Sequence, residues 1–331
     1  MMTLNTMQAV LAATERDGQN PVAAEIASRW EADPGSAQFF RASANFVFKF
    51  TRRGKKYVLR FNHGDERTRA GIEAEVAYVN HLARQGLLVA RPVPSRQGNE
   101  VESVQTPLGL FHGVVFQALA GQQFDLSELT PERFTHWGGA LGQLHQASQG
   151  YSGTGRPGWQ DHLALIAASL PPEEQAARNL LHTLQEQLGQ LPTDECCFGL
   201  IHYDFELDNL LWISESVGIV DFDDSARYWF AADIAYALRE LFDDRPDQVD
   251  LGHKDLQRFV QGYRAVRAIS QEELERVPLF LKLHNLLSFA KLDRALRTPV
   301  PPDAPGWVTA LGDKLRAKMN SYRHSFSEDM P

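Results

Sequence analysis

Apolar residues recur along this chain at two spacings, and each spacing predicts a different kind of element. Alternation of apolar and polar residues over Phe46-Val47-Phe48-Lys49-Phe50 predicts a half-buried strand. Tyr57 to Phe61 predicts the returning strand, and Arg52 to Lys55 has the composition of the turn between them. A further strand is predicted over Phe111 to Phe116. The first third of the chain is therefore predicted to run helix, strands, helix, strands, with an antiparallel hairpin at its centre.

A helical spacing follows this hairpin, over roughly residues 70–85, with Gly86 in the place of a C-terminal cap. At 100° per residue, one face of this helix carries Ile72, Val76, Val79 and Leu82. Glu75 falls inside the same apolar stripe, and a carboxylate there needs a buried positive partner. Arg60, at the end of the predicted strand, is the expected partner. The alternative is a glutamate that reaches the surface beside an unrelated arginine.

Helical spacing dominates the rest of the chain. Thr130-Pro131-Glu132 predicts a helix start, and Phe134, Trp137, Leu141 and Leu144 then repeat on one face. His145 lies beside this face, where we expect a core or supporting histidine and not a catalytic one. Further helices are predicted near residues 231–242, 254–267, 271–296 and 304–323.

The change from strands to helices predicts an α+β fold with two lobes. The N-terminal lobe would be residues 1–117, a small antiparallel sheet with one main helix. A linker over residues 118–122 would lead into a larger, mostly helical lobe over residues 123–331.

Composition is that of an ordinary globular protein, with 43% hydrophobic and 23% charged residues among 331. No apolar run approaches the length of a membrane span, and the N-terminus lacks signal-peptide character, so we expect a cytoplasmic protein. The adjacent Cys196 and Cys197 have poor geometry for a disulfide and are too few for a zinc site. They are predicted to be small apolar residues in a strand.

The net charge of −9 is unevenly distributed. Twelve acidic residues and three arginines lie between Asp204 and Asp247, and the other residues include 30 of each sign. Negative potential there would attract Mg²⁺ and a cationic small molecule, and would oppose nucleic acid or an anionic membrane. The alternative is that residues such as Glu215, Asp243 and Asp244 merely face solvent.

Chemistry-bearing residues are concentrated within this acidic stretch. The run His202-Tyr203-Asp204-Phe205-Glu206-Leu207-Asp208-Asn209 precedes two short apolar runs and then Asp221. ATP-dependent phosphoryl transfer needs an aspartate to orient or deprotonate the acceptor hydroxyl, and an asparagine and a second aspartate to hold Mg²⁺. Asp204, Asn209 and Asp221 have the residue types and spacing for these three roles.

The apolar runs in between predict a tight hairpin. Residues 210–213 are a predicted strand, residues 214–216 have turn composition, and residues 217–220 would return and bring Asp221 beside the loop. The alternative is a polar surface loop followed by a solvated acidic hairpin. The coincidence of four residue types at fixed spacing favours the catalytic interpretation.

A second candidate loop, Arg41-Ala42-Ser43-Ala44-Asn45, consists largely of small residues between aromatic strands. Small side chains let backbone N–H groups approach a phosphate, so Ser43 and Asn45 are candidate nucleotide-binding residues. Glycine is missing, and an ordinary turn is the alternative.

On these motifs the chain resembles the aminoglycoside phosphotransferase and choline kinase-like family, which shares the bilobal fold of protein kinases. The resemblance spans roughly residues 36–300. It rests on Tyr57-Val58-Leu59-Arg60, the helix with Glu75, the loop from His202 to Asn209, the run Ile219-Val220-Asp221-Phe222-Asp223, and Ala232-Asp233-Ile234-Ala235.

The resemblance implies ATP as the nucleotide, with GTP not excluded, and Mg²⁺ as the metal. Asp204 would be the catalytic base, and Asn209 and Asp221 would bind Mg²⁺. His202 would brace the loop by hydrogen bonds, and Asp233 would do so from below.

The nucleotide site implied by the resemblance includes Arg60, which stands where the family usually has a lysine paired with the glutamate at Glu75. Arginine is permanently charged and forked, so it could bridge carboxylate and phosphate, but the exchange is not neutral. The backbone of the segment that includes Gln117 and Leu119 would hydrogen-bond the adenine.

Two departures from the family pattern bear on the acceptor. Tyr203 replaces a glycine commonly found after the histidine. Asp223-Asp224 stands where a protein kinase has glycine, and no Ala-Pro-Glu segment follows, which argues against an activation loop of the eukaryotic protein-kinase type. The residues expected nearest the acceptor are Tyr203, Glu206, Asp223, Asp224, Tyr228 and Trp229.

These observations predict a kinase that phosphorylates a hydroxyl of a small molecule, such as an aminoglycoside, choline, ethanolamine, homoserine, methylthioribose or a macrolide. The acidic stretch favours an amino alcohol, and neither nucleic acid nor membrane is an expected partner. The alternatives are a bacterial Ser/Thr protein kinase, a nucleotide-binding pseudokinase that regulates a partner, and a metal hydrolase. The hydrolase would need closely spaced histidine ligands, which the sequence lacks. The oligomeric state is not predicted.

Overall fold

The computed structural model describes residues 2–297 and 304–328, which form two compact units. The first contains residues up to Asn80, Ala90–Ala118 and Lys291–Asn320. The second contains His81–Val89, Leu119–Ala290 and the residues from Ser321 onward. The predicted lobes and linker (residues 1–117, 118–122 and 123–331) stay a prediction. Residue 1 of the predicted N-terminal lobe, and residues 298–303 and 329–331 of the predicted C-terminal lobe, lie outside the described residues.

The described residues form helices and strands in the order expected of an α+β protein. The helices are α1 (Leu4–Leu11), α2 (Pro21–Ala27), α3 (Arg69–Arg84), α4 (Pro131–Ser148), α5 (Trp159–Ser169), α6 (Gln175–Gly189), α7 (Phe230–Ala237), α8 (Lys254–Arg264), α9 (Gln271–Leu274), α10 (Val277–Leu296) and α11 (Gly306–Glu328). The strands are β1 (Gln38–Ala42), β2 (Phe46–Arg52), β3 (Lys55–His63), β4 (Val101–Thr106), β5 (Gly109–Gln117), β6 (Phe198–Ile201), β7 (Leu210–Ile213), β8 (Ser216–Ile219) and β9 (Ala226–Trp229).

The first unit is built on a five-stranded antiparallel sheet with the strand order β1-β2-β3-β5-β4. The predicted hairpin is confirmed as β2 and β3, with Phe48 opposite Leu59. Arg53 and Gly54 make its turn, with φ values of 51° and 76°. One face of the sheet is buried with side chains of α1 and α2, so the aromatic residues of β2 lie in a core.

Helix α3 confirms the predicted apolar face. Its stripe residues are buried, and Ile72 and Val76 pack with Val101 of β4 and Val114 of β5. Glu75 is fully buried within this stripe. The helix ends at Arg84, and Gly86 follows with φ 90°, as its position after the last periodic residue predicts.

The second unit is mostly helical, and helices α4 and α8 pack closely against each other. Thr130 caps α4, as predicted. The two helices approach at two glycines, since a Cβ on Gly138 would lie 1.8 Å from the Phe259 carbonyl oxygen, and a Cβ on Gly262 would lie 1.8 Å from that of Thr135. No other residue would fit at either position without separating the helices.

The other predicted helices are present with shifted ends. The helix predicted over residues 231–242 ends at Ala237 and continues as a single 3₁₀ turn over Arg239–Phe242. The helix predicted over residues 271–296 is interrupted between α9 and α10. The α+β fold class is confirmed by the sheet of the first unit and the helices of the second.

Two small antiparallel pairs, β6 with β9 and β7 with β8, complete the second unit. The predicted hairpin over residues 210–220 is therefore confirmed as β7 and β8. The strand prediction for Cys196 and Cys197 is wrong, because both lie in the turn before β6, one exposed and one buried. Within residues 2–297 and 304–328, no helix has the length and apolar character required to cross a membrane.

Candidate active site

The loop from His202 to Asn209 joins the end of β6 to the start of β7, and a buried aspartate holds its first residues. Asp233 lies in the first turn of α7 and is fully buried. Its Oδ2 accepts the backbone amide of His202 at 2.9 Å, and its Oδ1 accepts that of Tyr203 at 2.8 Å. The predicted bracing of the loop by Asp233 is thus confirmed.

His145 of α4 supports Asp233 from the opposite side. Its Nε2 lies 3.0 Å from Asp233 Oδ2, and its Nδ1 lies 2.9 Å from the Tyr263 hydroxyl. A carboxylate only accepts hydrogen bonds, so Nε2 carries the proton and Nδ1 accepts from Tyr263. Burial lowers the pKa of His145, and the hydrogen bond and charge of Asp233 oppose this only in part. His145 is therefore held neutral, and the prediction of a supporting histidine is confirmed.

His202 links the loop to the run that carries Asp221. Its Nε2 donates to the Val220 carbonyl at 3.0 Å, and its Nδ1 accepts the Asp204 amide at 3.3 Å. The ring also packs on Phe222, with centroids 4.5 Å apart. The residues on either side of Asp221 are thereby tied to the loop, which confirms the predicted bracing by His202.

Asp204 and Asn209 contact each other across this loop. Asn209 Nδ2 donates to the Asp204 backbone oxygen at 2.9 Å and to its Oδ2 at 3.0 Å. The Asp204 side chain remains 32% exposed, so its carboxylate is accessible from outside the loop. Burial raises the pKa of Asp204; Asp224 and Asp221 raise it further, and Arg239 opposes them.

Asn209 and Asp221 are the candidate metal ligands. Asn209 Oδ1 is buried and accepts no hydrogen bond from any of the residues that the structure describes. The Asn209 carbonyl accepts the amide of Val220 at 3.0 Å, which brings the neighbouring Asp221 close. Asp221 is partly exposed and has a left-handed backbone, with φ 63°.

This pair of ligands fits Mg²⁺. Mg²⁺ prefers oxygen ligands and is usually held by one or two protein groups together with water and substrate phosphates. Asn209 has an unused buried oxygen, and Asp221 has a carboxylate, so the two supply such a set. In the described part of the chain, no group of three His, Cys, Asp or Glu side chains is arranged to hold a metal ion without such help.

Arg239, which belongs to none of the predicted motifs, lies among three carboxylates. Its Nη1 donates to Asp204 Oδ1 at 3.3 Å, its Nη2 donates to Glu206 Oε2, and its Nε lies 3.7 Å from Asp244 Oδ1. Its side chain is 17% exposed. Burial lowers the pKa of Arg239, but the three carboxylates more than offset this, so the guanidinium keeps its charge.

A weak signal for Arg239 exists in the sequence, because it is one of three arginines in the acidic stretch. The contacts of Arg239 also show that the acidic residues between Asp204 and Asp247 have different environments. Glu215 and Asp243 are exposed, as the solvent-facing alternative predicts, whereas Asp244 pairs with Arg239.

Among the residues expected near the acceptor, Glu206 is a carboxylate with a raised pKa. Burial raises its pKa to about 7, with the charge of Asp204 adding to the effect and Arg239 opposing it. The side chain is 31% exposed. Glu206 and the partly exposed Asp224 thus present acidic groups at the loop surface.

The aromatic acceptor candidates lie in the core of the second unit. Tyr203, Tyr228 and Trp229 are each at most 3% exposed. The Tyr228 hydroxyl lies 2.6 Å from His162 Nδ1, and Trp229 Nε1 donates to the Pro192 carbonyl at 2.6 Å. Asp223 is also buried. Acceptor contacts by these four residues stay a prediction.

Tyr203 has a left-handed backbone, with φ 73°. Bulky residues rarely adopt this conformation, whereas glycine adopts it without strain. The glycine that the resemblance implies at this position would avoid this strain. In this chain the ring of Tyr203 packs 4.7 Å from Tyr236 and 5.3 Å from Tyr228, centroid to centroid, which holds the strained residue in place.

The predicted pairing of Arg60 with Glu75 is confirmed in the first unit. Arg60 Nη1 donates to Glu75 Oε1 at 2.8 Å, and Nη2 donates to Oε2, so the contact is bidentate. Both residues are buried, and the guanidinium also lies 5.4 Å from the Phe116 ring centroid. A nucleotide contact by this pair stays a prediction.

The loop between β1 and β2 is closed by its own backbone and by Asn62. The Ser43 amide donates to the Asn45 carbonyl at 3.2 Å. Asn62 Nδ2 donates to the Ala44 carbonyl at 3.0 Å and to Asn45 Oδ1 at 2.7 Å. The side chain of Asn45 is therefore turned inward, and its predicted phosphate contact would have to come from the backbone.

Gln117 and Leu119 are divided between the two units. Gln117 is the last residue of β5, is exposed, and donates its amide to the Arg91 carbonyl at 2.9 Å. Leu119 is partly buried and belongs to the second unit. Their predicted role in binding adenine stays a prediction.

Comparison with known proteins gives one family and several relatives. The model of the phosphotransferase enzyme family matches residues 36–269. The amicoumacin kinase of Bacillus subtilis (strain 168) is 26% identical over 326 residues, which are 95% of this chain and 93% of that protein.

Solved structures share the fold. The amicoumacin kinase hAmiN, in complex with AMP-PNP, Ca²⁺ and Ami, superposes with a TM-score of 0.78 at 24% identity and covers 94% of this chain and 93% of its own. A microcompartment-associated aminopropanol kinase superposes with a TM-score of 0.67 at 22% identity and covers 92% and 94%. These similarities confirm the predicted protein-kinase-like fold.

Proposed function

Because the chain belongs to the phosphotransferase enzyme family, we propose that it is an ATP- and Mg²⁺-dependent kinase that phosphorylates a hydroxyl of a small molecule. One observation carries the proposal. The Asp204 carboxylate is bound by Asn209 at one oxygen and by Arg239 at the other, yet it stays partly exposed. A carboxylate fixed in this way is suited to orient an incoming hydroxyl.

In the proposed reaction the acceptor oxygen attacks the γ-phosphorus while the bond to the β–γ bridging oxygen breaks. The hydroxyl proton passes to Asp204, and ADP leaves with the bridging oxygen. Phosphoryl transfer of this kind depends mainly on positioning and charge neutralisation. The raised pKa of Asp204 favours it as a proton acceptor, because a stronger base takes the proton more readily.

Asn209 and Asp221 would hold Mg²⁺ in this site. The bound ion would supply charge neutralisation at the nucleotide phosphates. The unused Oδ1 of Asn209 supports this assignment from this chain's own geometry. The complex of hAmiN with AMP-PNP and Ca²⁺ supports it from a protein of the same fold.

The acceptor is proposed to be an amino alcohol or a larger amine-bearing alcohol. The partly exposed Asp224 lies close enough to Asp204 for its charge to raise the Asp204 pKa, and the stretch from Asp204 to Asp247 holds twelve acidic residues against three arginines. The relatives named amicoumacin kinase and aminopropanol kinase support a small-molecule acceptor. A cytoplasmic location, without nucleic-acid or membrane partners, is part of the same proposal.

The first test is calorimetric binding of ATP with and without Mg²⁺ to the native protein and to Asp221→Asn. We expect Mg²⁺ to strengthen binding to the native protein and to have little effect on the variant. Asp247→Asn is the matched control, because Asp247 forms an exposed ion pair with Arg245 within the same acidic stretch. Absence of nucleotide binding to the native protein would contradict the proposal.

The second test identifies the acceptor. ADP release is followed with ATP, Mg²⁺ and a panel that includes aminopropanol, ethanolamine, choline, homoserine, aminoglycosides and amicoumacin. Asp204→Asn, which keeps the shape of the side chain but not the base, should bind MgATP and fail to turn over the best acceptor. If the native protein binds MgATP but phosphorylates none of these compounds, the pseudokinase alternative is favoured.

A further inference from the structure

An arginine outside the predicted motifs holds the segment that follows Asp221. Arg156 lies on the loop between α4 and α5, with its side chain partly buried. Its Nε donates to the Ser225 carbonyl at 2.9 Å, and its Nη2 donates to the Asp223 carbonyl. One guanidinium therefore bridges two backbone oxygens that are two residues apart.

The contact is reciprocal, because Arg227 holds the loop that carries Arg156. Arg227 Nη2 donates to the Gly153 carbonyl at 2.6 Å, and the Arg227 amide donates to the Pro157 carbonyl at 2.8 Å. Strand β9, which begins at Ala226, is paired along its other edge with β6. The segment from Asp223 to Arg227 is thus held between β6 and the loop of Arg156.

Asp221 depends on such support because its backbone is left-handed, a conformation that persists only where the surroundings determine it. Before Asp221, the Val220 carbonyl is fixed by His202 and the Val220 amide by the Asn209 carbonyl. After Asp221, the Asp223 and Ser225 carbonyls are fixed by Arg156. The candidate metal ligand is therefore anchored on both sides.

We propose that Arg156 is a positioning residue for Asp221. By binding the Asp223 and Ser225 carbonyls, Arg156 sets the direction of the Asp221 carboxylate. This inference rests on the proposed function. Groups that orient a metal ligand alter metal affinity when they are removed, although they do not touch the metal. The planar guanidinium can donate to two carbonyls at once, whereas an ammonium offers a single point charge.

The test follows ATP binding by calorimetry across a Mg²⁺ titration for the native protein, Arg156→Gln and Arg156→Lys. We expect the half-maximal Mg²⁺ concentration to rise about tenfold in Arg156→Gln and by less in Arg156→Lys, since lysine keeps one donor contact. ATP binding without Mg²⁺ should not change. Unfolding temperatures are measured in parallel to separate loss of stability from loss of metal affinity.

The matched control is Arg178→Gln. Arg178 also donates to a backbone carbonyl in the second unit, that of Leu170 at 3.2 Å, and Leu170 does not belong to the candidate site. Its Mg²⁺ requirement should equal that of the native protein.

Three results would contradict either the role proposed for Arg156 or the proposed function. An unchanged Mg²⁺ requirement in folded Arg156→Gln would overturn the role proposed for Arg156, whatever happens to the unfolding temperature. Failure of both variants to fold would also overturn it, because Arg156 would then be required by the fold and not specifically by Asp221. A native protein without any Mg²⁺-dependent ATP binding would instead contradict the proposed function.

Discussion

Asn209 donates its side-chain amide to the carboxylate of Asp204 across 3.0 Å. The other polar atom of the Asn209 side chain, Oδ1, is buried and accepts no hydrogen bond from the described residues. One side chain can therefore orient the proposed base and bind the proposed metal. The position of the proposed base is therefore coupled to the position of the proposed metal through one side-chain amide.

This coupling predicts different effects on binding and turnover in Asn209→Asp. The variant keeps an oxygen ligand for Mg²⁺, but it replaces the donated hydrogen bond with a like charge facing Asp204. We expect MgATP binding to persist and kcat to fall by about 100-fold or more, the range found when a general base is compromised. Calorimetry gives the first quantity and steady-state ADP release gives the second.

Asp208→Asn is the control for Asn209→Asp, because Asp208 is the exposed neighbour on the same 3₁₀ turn. Its kcat should stay within a few-fold of the native value. A native-like kcat in Asn209→Asp would show that the hydrogen bond to Asp204 is dispensable.

Removal of Arg239 should destabilise the protein, because three partly buried carboxylates lose a shared cation and two of them lose a hydrogen-bond donor. We expect Arg239→Gln to lower the free energy of unfolding by about 1–3 kcal/mol, the usual cost of losing hydrogen bonds to charged groups. Adding Glu206→Gln should restore part of this loss, since one of the opposed carboxylates is then neutral. Urea unfolding of the two single variants and the double variant measures the coupling.

Arg245→Gln is the matched control for Arg239→Gln, since Arg245 pairs with Asp247 at the surface. Its effect should be within about 0.5 kcal/mol. Additive effects of Arg239→Gln and Glu206→Gln would show that the two side chains do not interact energetically.

Replacement of Tyr203 by glycine tests strain against packing. Glycine would relieve the left-handed strain of about 1–3 kcal/mol, but truncating a buried aromatic ring typically costs about 3–5 kcal/mol. We expect Tyr203→Gly to be destabilised by about 2 kcal/mol, as measured by urea unfolding. Tyr203→Phe keeps the ring and should stay within about 1 kcal/mol of the native protein. Stabilisation by glycine would mean that strain dominates.

The buried His145 predicts a specific dependence of stability on pH. Its pKa is lowered in the folded protein, so below about pH 6.5 the unfolded chain binds a proton that the folded chain does not. Stability from this residue is therefore present above that pH and is lost as the pH falls. The slope from one such proton approaches about 1.4 kcal/mol per pH unit.

His145→Gln should make this dependence shallower. Glutamine can still donate to Asp233 and accept from Tyr263, but it does not titrate. The free energy of unfolding is measured by urea at pH 7.5, 6.5 and 5.5. His182→Gln, at an exposed position of α6, is the control and should keep the native slope. Equal slopes in the native protein and His145→Gln would show that His145 does not contribute.

Features that depend on short stretches of chain could be predicted from the residues alone. The hairpin of β7 and β8 follows from two apolar runs and a turn, so the approach of Asn209 to the start of the run with Asp221 is a local consequence. The burial of Glu75 follows from helical spacing, and burial of a carboxylate requires a positive partner, which indicated Arg60. Phosphoryl-transfer chemistry followed from residue types at fixed spacing within one loop and hairpin.

The contacts of Arg239 and Arg156 and the burial of Tyr203 depend on how distant parts of the chain pack together. Arg239 contacts residues 33 and 35 positions away, and Arg156 contacts residues 67 and 69 positions away. No periodic pattern specifies such partners, because an arginine on a loop or a helix end has many acceptors within reach. Which acceptors it meets is determined by the packing of whole helices and strands, as at the two glycines of α4 and α8.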